Sequence, residues 1–251
     1  MLHRGLRLGM LTLSLLAAGC AISPNSTIEQ FAASSGSHSF EILNRSMTSS
    51  DALVLPVVHD RQFAGPSCGA HALASVVNYW RGPGAMDGQT YYREHPPADG
   101  MGYSMAELLQ AARGQGLLAS AVRMPEQGLV AELESGRPVL VPVRVPSIYV
   151  QQRIWPGGQA PVFGLVRNTV IYRASRVSEA TNLAMVNHYL LVVGHDGDRF
   201  VVVEPVMGYR TISFRRLERY RDAFDDAAIV FSSNRPRVTS AEAPAEPLVA
   251  S

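Results

Sequence analysis

The hydrophobic positions of the chain change rhythm about halfway along. Leu73, Val76, Val77 and Trp80 recur at helical spacing, which predicts an amphipathic or buried helix over 68–80, beginning near Cys68. In "YSMAELLQAARGQG", Ser104 stands three residues ahead of Glu107, a capping-box spacing that predicts a helix closing at Gly114 or Gly116. A third helix is predicted from Pro125 to Ser135, with proline at its start and Gly136 just past its end. The apolar runs then shorten. "RPVLVPVRV" (137–145) reads as a strand apolar enough to be central, although Pro142 argues for an edge or a kink. "HYLLVVG" (188–194) and "RFVVVEP" (199–205) flank "HDGD", which predicts a hairpin with Asp-Gly at its turn. A short helix over 213–224 and a last strand at 227–231 follow, and "ALVLPVV" (52–58) is an extended lead-in. Helices first and an antiparallel sheet afterwards make an α+β domain. The segment 146–187 resists this scheme: "VFGLVRNTVIYRASRV" reads as two strands of an excursion, with "WPGGQAP" as a loop.

The two ends lack this patterning. Residues 21–50 are rich in Ser, Thr, Asn and Ala and read as a tether, with a little local structure near Phe40–Leu43; residues 234–251 are rich in Pro, Ala and Glu and read as a disordered tail. The folded unit is therefore expected over 51–233. At the start, "MLHRGLRLGMLTLSLLAAGC" places Arg4 and Arg7 before a short apolar run that ends in small residues at Cys20. A run of roughly ten apolar residues is too short to span a bilayer and reads as a secretory signal. "LAAGC" also resembles the bacterial lipobox, with Ala17 where that motif prefers Leu. The resemblance implies a signal peptide over 1–19 and a lipid on Cys20, followed by the tether over 20–50. Ala21, where a retention signal would carry aspartate, implies the outer membrane, facing the periplasm.

Composition narrows the classes. Hydrophobic residues at 47% and charged residues at 17% suit a folded globular domain, and 22 basic against 21 acidic side chains give no electrostatic case for a nucleic-acid partner. There is no internal repeat, nothing calls for a cofactor, and a monomer is the default expectation. With Cys20 carrying lipid, Cys68 has no intramolecular partner in an oxidising compartment, where an unpaired thiol is a liability unless buried or used.

Cys68 sits where use is plausible on physical grounds. A thiol in the first turn of a helix sees unpaired N–H groups and the positive end of the helix dipole, and both favour the thiolate. Gly65 and Gly69 are expected to leave room for a substrate backbone. Gln62, on the loop entering the helix, could join the Cys68 backbone N–H in stabilising an oxyanion. Among the histidines, His3 leaves with the signal, and His38 and His95 lie in polar, loop-like surroundings. His71 reads as packing or surface, His59 is a weak rival as base, and His195 flanks a hairpin turn and is expected to be solvated. His188 differs because it opens a strongly apolar strand and can be presented at a sheet rim as a general base. The returning strand brings Glu204 back to its level as an orienting acid, with Asn187 or Asp196 as alternatives. A zinc site from Cys68, His71 and His188 lacks any supporting pair spacing, so no metal is expected.

"QFAGPSCGAHALASVVNYW" followed by "HYLLVVGHDGDRFVVVEP" resembles the bacterial papain-like cysteine peptidases typified by the leader-cleaving domains of peptide-bacteriocin exporters. The resemblance covers roughly 55–231. It implies a papain-like fold and a peptide or protein substrate, with Cys68 as nucleophile, His188 as base, Glu204 as orienter and Gln62 in the oxyanion hole. The chain departs from the family in its Glu for Asp at 204 and in the length between Cys68 and His188, which makes 146–187 an insertion. It also departs in its expected export without a transporter domain, so cleavage after a double glycine does not follow. The leading expectation is a cell-envelope cysteine peptidase. The rivals are a Cys-dependent amidase or transpeptidase, and a non-catalytic binding or assembly lipoprotein on a degenerate scaffold.

Overall fold

A computed structural model of the chain describes residues 52–63, 65–150 and 173–234. The signal peptide, Cys20, the tether, nearly all of the tail and residues 151–172 of the excursion lie outside the described residues.

Among the described residues the strands are β1 (Leu53–Val54), β2 (Leu118–Arg123), β3 (Val139–Pro146), β4 (Met185–Asp196), β5 (Arg199–Glu204), β6 (Gly208–Ser213) and β7 (Ala227–Ser232). They form one antiparallel sheet in the order β2-β7-β3-β4-β5-β6, with β1 added on β4. The helices are α1 (Cys68–Arg81), α2 (Gly88–Glu94), α3 (Met105–Gly114), α4 (Glu126–Glu134), α5 (173–181) and α6 (Phe214–Arg221). The architecture is α+β, as the pattern predicts, but β2 lies between α3 and α4, so helices and strands interleave.

The strongest local signals hold. α1 is buried nearly all round, from Cys68 to Val77 and again at Tyr79, because Ala, Gly and Ser let its neighbours approach. α3 carries the complete capping box: Ser104 accepts from the Glu107 N–H, and the Glu107 carboxylate accepts from the Ser104 N–H. The hairpin turns at Gly197-Asp198, closed by the Asp196↔Arg199 pair. Gly197 (φ 60°) takes the first central position, which a primed turn reserves for glycine.

Pro142 is reconciled with a central strand by where β3 has neighbours. β3 pairs with β4 along its whole length but with β7 only at Leu140↔Ile229, so at Pro142 the strand is locally an edge. The hydrophobic pattern does not predict β2, α2 or β6. β2 buries only Ala119, and α2 is a short polar helix started by the Asp87 side chain, so neither has an apolar period to read. In the excursion, residues 173–181 are helical rather than extended, and 185–187 already belong to β4. Glu179 explains the docking of α5: its carboxylate accepts from Arg216 (3.0 and 2.5 Å) and from the Tyr220 hydroxyl (2.6 Å), both on α6.

β4 is the spine of the core. Every residue from His188 to Asp196 is buried, so both faces of the strand are covered. α1 and α4 pack on it. Its partner β3 reaches only to Val192, and β1 takes over that edge at Gly194 and His195. A bulge between Val192 and Gly194 lets β5 follow on the other side, and the Leu55 N–H donates to the Val193 carbonyl (2.8 Å). Any Cβ at Gly194 would lie 2.2 Å from the Leu53 carbonyl oxygen. Gly194→Ala should therefore push β1 off the sheet and cost about 1–3 kcal/mol in urea denaturation; an unchanged midpoint would contradict this packing.

Candidate active site

Cys68 is the first residue of α1, a free thiol only 8% exposed. Its sulfur lies at the end of the helix where backbone N–H groups have no intrahelical acceptor. His188 reaches it from β4. The last paired residues of β4 and β5 are Leu191↔Val203, so Glu204 falls one step on, diagonal to His188 on the same face. His188 Nε2 and Glu204 Oε1 are 2.6 Å apart, and Glu204 is wholly buried. That contact leaves Nδ1 without the carboxylate, and Cys68 lies close enough for its side chain to act on the imidazole. The turn after β5 accommodates the longer glutamate side chain: the Val206 N–H donates to Oε1 (3.0 Å) and the Met207 N–H to Oε2 (2.6 Å).

The electrostatics follow from this enclosure. Burial alone disfavours a charged imidazole, but the charge and hydrogen bond of Cys68 and those of Glu204 outweigh it, and His188 is pushed up to about 10. Burial likewise works against the Glu204 carboxylate. The His188 hydrogen bond and charge, the Val206 N–H and the Arg210 charge hold it below the usual carboxylate range all the same. The alternatives for an orienter do not compete. Asn187 is exposed, and Asp196 lies at the far end of β4 beside the hairpin turn.

Gln62 is half-buried on the loop between β1 and α1. Its backbone N–H donates to the Pro205 carbonyl (2.8 Å), directly after Glu204, and its side-chain Nε2 donates to the Gly65 carbonyl (2.6 Å). That bond fixes which way the amide points and leaves its second N–H to spare. Gly65 is exposed at φ 71°, a left-handed turn suited to glycine. Gly69 does not serve the expected purpose. A Cβ there would come within 3.2 Å of Leu108 and Tyr103, so its bare backbone admits α3 and the Tyr103 loop rather than a substrate.

The remaining histidines separate clearly. His59 is fully buried with Nε2 donating to the Pro205 carbonyl (2.8 Å), which removes it as a rival base for Cys68. His71 is buried against Asp60, in keeping with packing. His195 is 7% exposed and not solvated, because β1 covers it. His95 is exposed and stacks on Tyr91 at 4.6 Å. Among the described residues no group of three or more His, Cys, Asp or Glu side chains is arranged to hold a metal ion. The residue pattern does not mark the main-chain contributions at Pro205, Val206 and Met207, or the Tyr189 hydroxyl, which donates to the Tyr103 carbonyl (2.9 Å) and feels the charge of Cys68. Backbone groups carry no residue-type signal by which they could have been found.

Among solved structures, the chain is similar to the peptidase domain of Streptococcus ComA, a bifunctional transporter of a quorum-sensing pathway. The identity is 16%, over 73% of this chain and 98% of that one, with a TM-score of 0.45. A C39-like peptidase of Bacillus anthracis aligns at 14% identity over 75% of this chain and 100% of that one, with a TM-score of 0.48. Xylellain, a cysteine protease of Xylella fastidiosa, aligns at 16% identity over 75% and 88% of the two chains, with a TM-score of 0.39. No protein-family profile and no curated protein sequence matches the chain.

The environment of His59 has a measurable consequence. Burial, partly opposed by the Pro205 hydrogen bond, lowers it from 6.5 to about 4. The folded state then refuses a proton that the unfolded state accepts below 6.5. Stability from this group is therefore full above that pH and is lost as pH falls towards 4, by about 3 kcal/mol over the window. His59→Gln should lack this component; parallel urea titrations of both proteins from pH 7.5 to 4 would reveal it as a shrinking stability difference.

Proposed function

We propose that the protein is a cysteine peptidase of the papain-like kind, acting through Cys68, His188 and Glu204 with Gln62 beside them. The observation that carries the reading is a single buried imidazole bound to a carboxylate through Nε2 and set close enough to the thiol to feel its charge. In this reading Glu204 holds the ring and stabilises its protonated form. The Cys68 sulfur attacks the carbonyl carbon of a peptide, and the negative charge that forms on the carbonyl oxygen is received by the Cys68 backbone N–H and the free N–H of Gln62. As the C–N bond breaks, His188 gives its proton to the departing amine and an acyl-thioester remains. His188, now neutral, takes a proton from water, whose oxygen cleaves the thioester and restores the thiolate–imidazolium pair.

The substrate class proposed is an exported peptide or protein. The support is the N-terminal sequence, whose charged start, short apolar run and "LAAGC" motif we take as the signal and anchor of a lipoprotein lipidated at Cys20 and held at the outer membrane. Replacing Cys20 with serine should move the protein from the membrane fraction to the soluble periplasmic fraction; retention in the membrane would remove the anchor from the proposal.

With a fluorogenic peptide library as substrate, Cys68→Ala and His188→Ala should each lower kcat/KM by about a thousandfold or more while circular dichroism stays unchanged. Glu204→Gln should lose less, roughly ten- to a hundredfold, because an amide oxygen can still position the ring. Activity surviving in Cys68→Ala would end the thiol mechanism. Iodoacetamide labelling gives an independent check. At pH 6 Cys68 should alkylate faster than a simple thiol, and His188→Ala should abolish the difference.

A further inference from the structure

We infer that Asp60 and His71, a second acid–imidazole pair beside the nucleophile, are positioning residues that hold Gln62 where an oxyanion would form. The inference rests on the reading of Gln62 as an oxyanion donor.

The pair joins the loop that carries Gln62 to the helix that carries Cys68. His71 lies one turn after Cys68 on α1, 1% exposed, and its Nδ1 is bound to Asp60 Oδ1. Among the described residues its Nε2 has no hydrogen-bond partner, so only the Nδ1 contact accounts for a polar ring at a position an aliphatic side chain could fill. Asp60 is fastened to α1 a second time: its backbone N–H donates to Ser75 Oγ (3.0 Å), and that hydroxyl donates to the His71 carbonyl (3.2 Å). α2 closes the third side. A Cβ on Gly88 would lie 2.7 Å from both Asp60 Oδ1 and His71 Nδ1, so only glycine lets that helix start seal the pair.

From this anchor the chain runs two residues to Gln62, whose backbone N–H is held by the Pro205 carbonyl. His59, on the other side of Asp60, donates to the same carbonyl. Pro205 in turn follows Glu204. The segment 59–62 is therefore held on one side by the nucleophile's helix and on the other by the end of the acid's strand. An oxyanion donor works only if its N–H is already aimed before charge develops, and a displacement of about 1 Å is enough to forfeit most of its effect. Residue types alone do not mark this role, since the pair acts on Gln62 through the backbone of the loop that carries it.

The test is a double-mutant cycle. His71→Phe, which keeps the ring volume and removes the nitrogen, should lower kcat about tenfold with KM nearly unchanged. His71→Asn, whose amide N–H can stand in for Nδ1, should recover most of that loss. In a Gln62→Ala background His71→Phe should have no further effect; an equal loss with and without Gln62 overturns the inference. Asp60→Ala provides a second route should His71→Phe fold poorly, with the same expected non-additivity. Hydrogen exchange at the Gln62 amide separates this inference from the peptidase reading. If the unmodified protein cleaves no peptide, the proposed function fails by itself. Faster exchange at Gln62 in His71→Phe still supports the pair as the clamp of this loop, and unchanged exchange rejects it.

Discussion

His188 and Glu204 meet at 2.6 Å in a place where Glu204 is sealed from solvent and His188 keeps only 6% of its exposure. An isolated carboxylate or imidazolium buried so completely would cost several kcal/mol, and each is tolerable there because the other supplies its counter-charge. The consequence reaches well beyond the two side chains. β4 and β5 must keep the register that sets the residues diagonally, the chain after β5 must turn at once so that the Val206 and Met207 N–H groups can complete the carboxylate, and α1 must bring its first residue to the free side of the ring. Much of the architecture is a means of satisfying that one buried contact.

The chain's solution is economical in elements. β4 is covered on both faces, so its direction and register are set by packing along most of its length. α1 lies on it with small residues, which brings the helix start close to the strand. Between these rigid parts runs the stretch from β1 to Cys68, which has little regular structure of its own. It is held by point contacts: Leu55 to Val193, Tyr209 to the Val57 carbonyl, Gln62 and His59 to Pro205, and Asp60 to α1. A loop fixed at so many places serves as scaffold rather than as a flexible cover.

The helices and strands that bury an apolar face were readable because burial imposes a period on the residues: α1, α3, α4 and the β4–β5 hairpin appear where the pattern puts them. Elements stabilised by other means were not. β2 and α2 bury little, and α5 is held by the Glu179 carboxylate against Arg216 and Tyr220 and by Ser175 against the Tyr149 hydroxyl, long-range contacts with no local trace. The site followed the same division. Cys68, His188 and Glu204 stood out because a lone thiol at a helix start, and a histidine and an acid at matching ends of a hairpin, are unusual residues in informative places. His195 reads as solvated from its place beside a turn, yet it is buried because β1, a strand of two residues from the other end of the domain, covers it.

What the sequence by itself determined is where the elements with a buried apolar face form and which side chains are chemically suited to a site, since periodicity, caps and residue type act over a few neighbours. The tertiary structure alone decided what those side chains meet: that one imidazole is brought to both the thiol and a carboxylate, that Gly69 receives a helix instead of a ligand, and that Asp60 and His71 close on each other. Each of these depends on distances between segments far apart in the chain, and such distances are set by the packing of the whole core rather than by any stretch of residues within it.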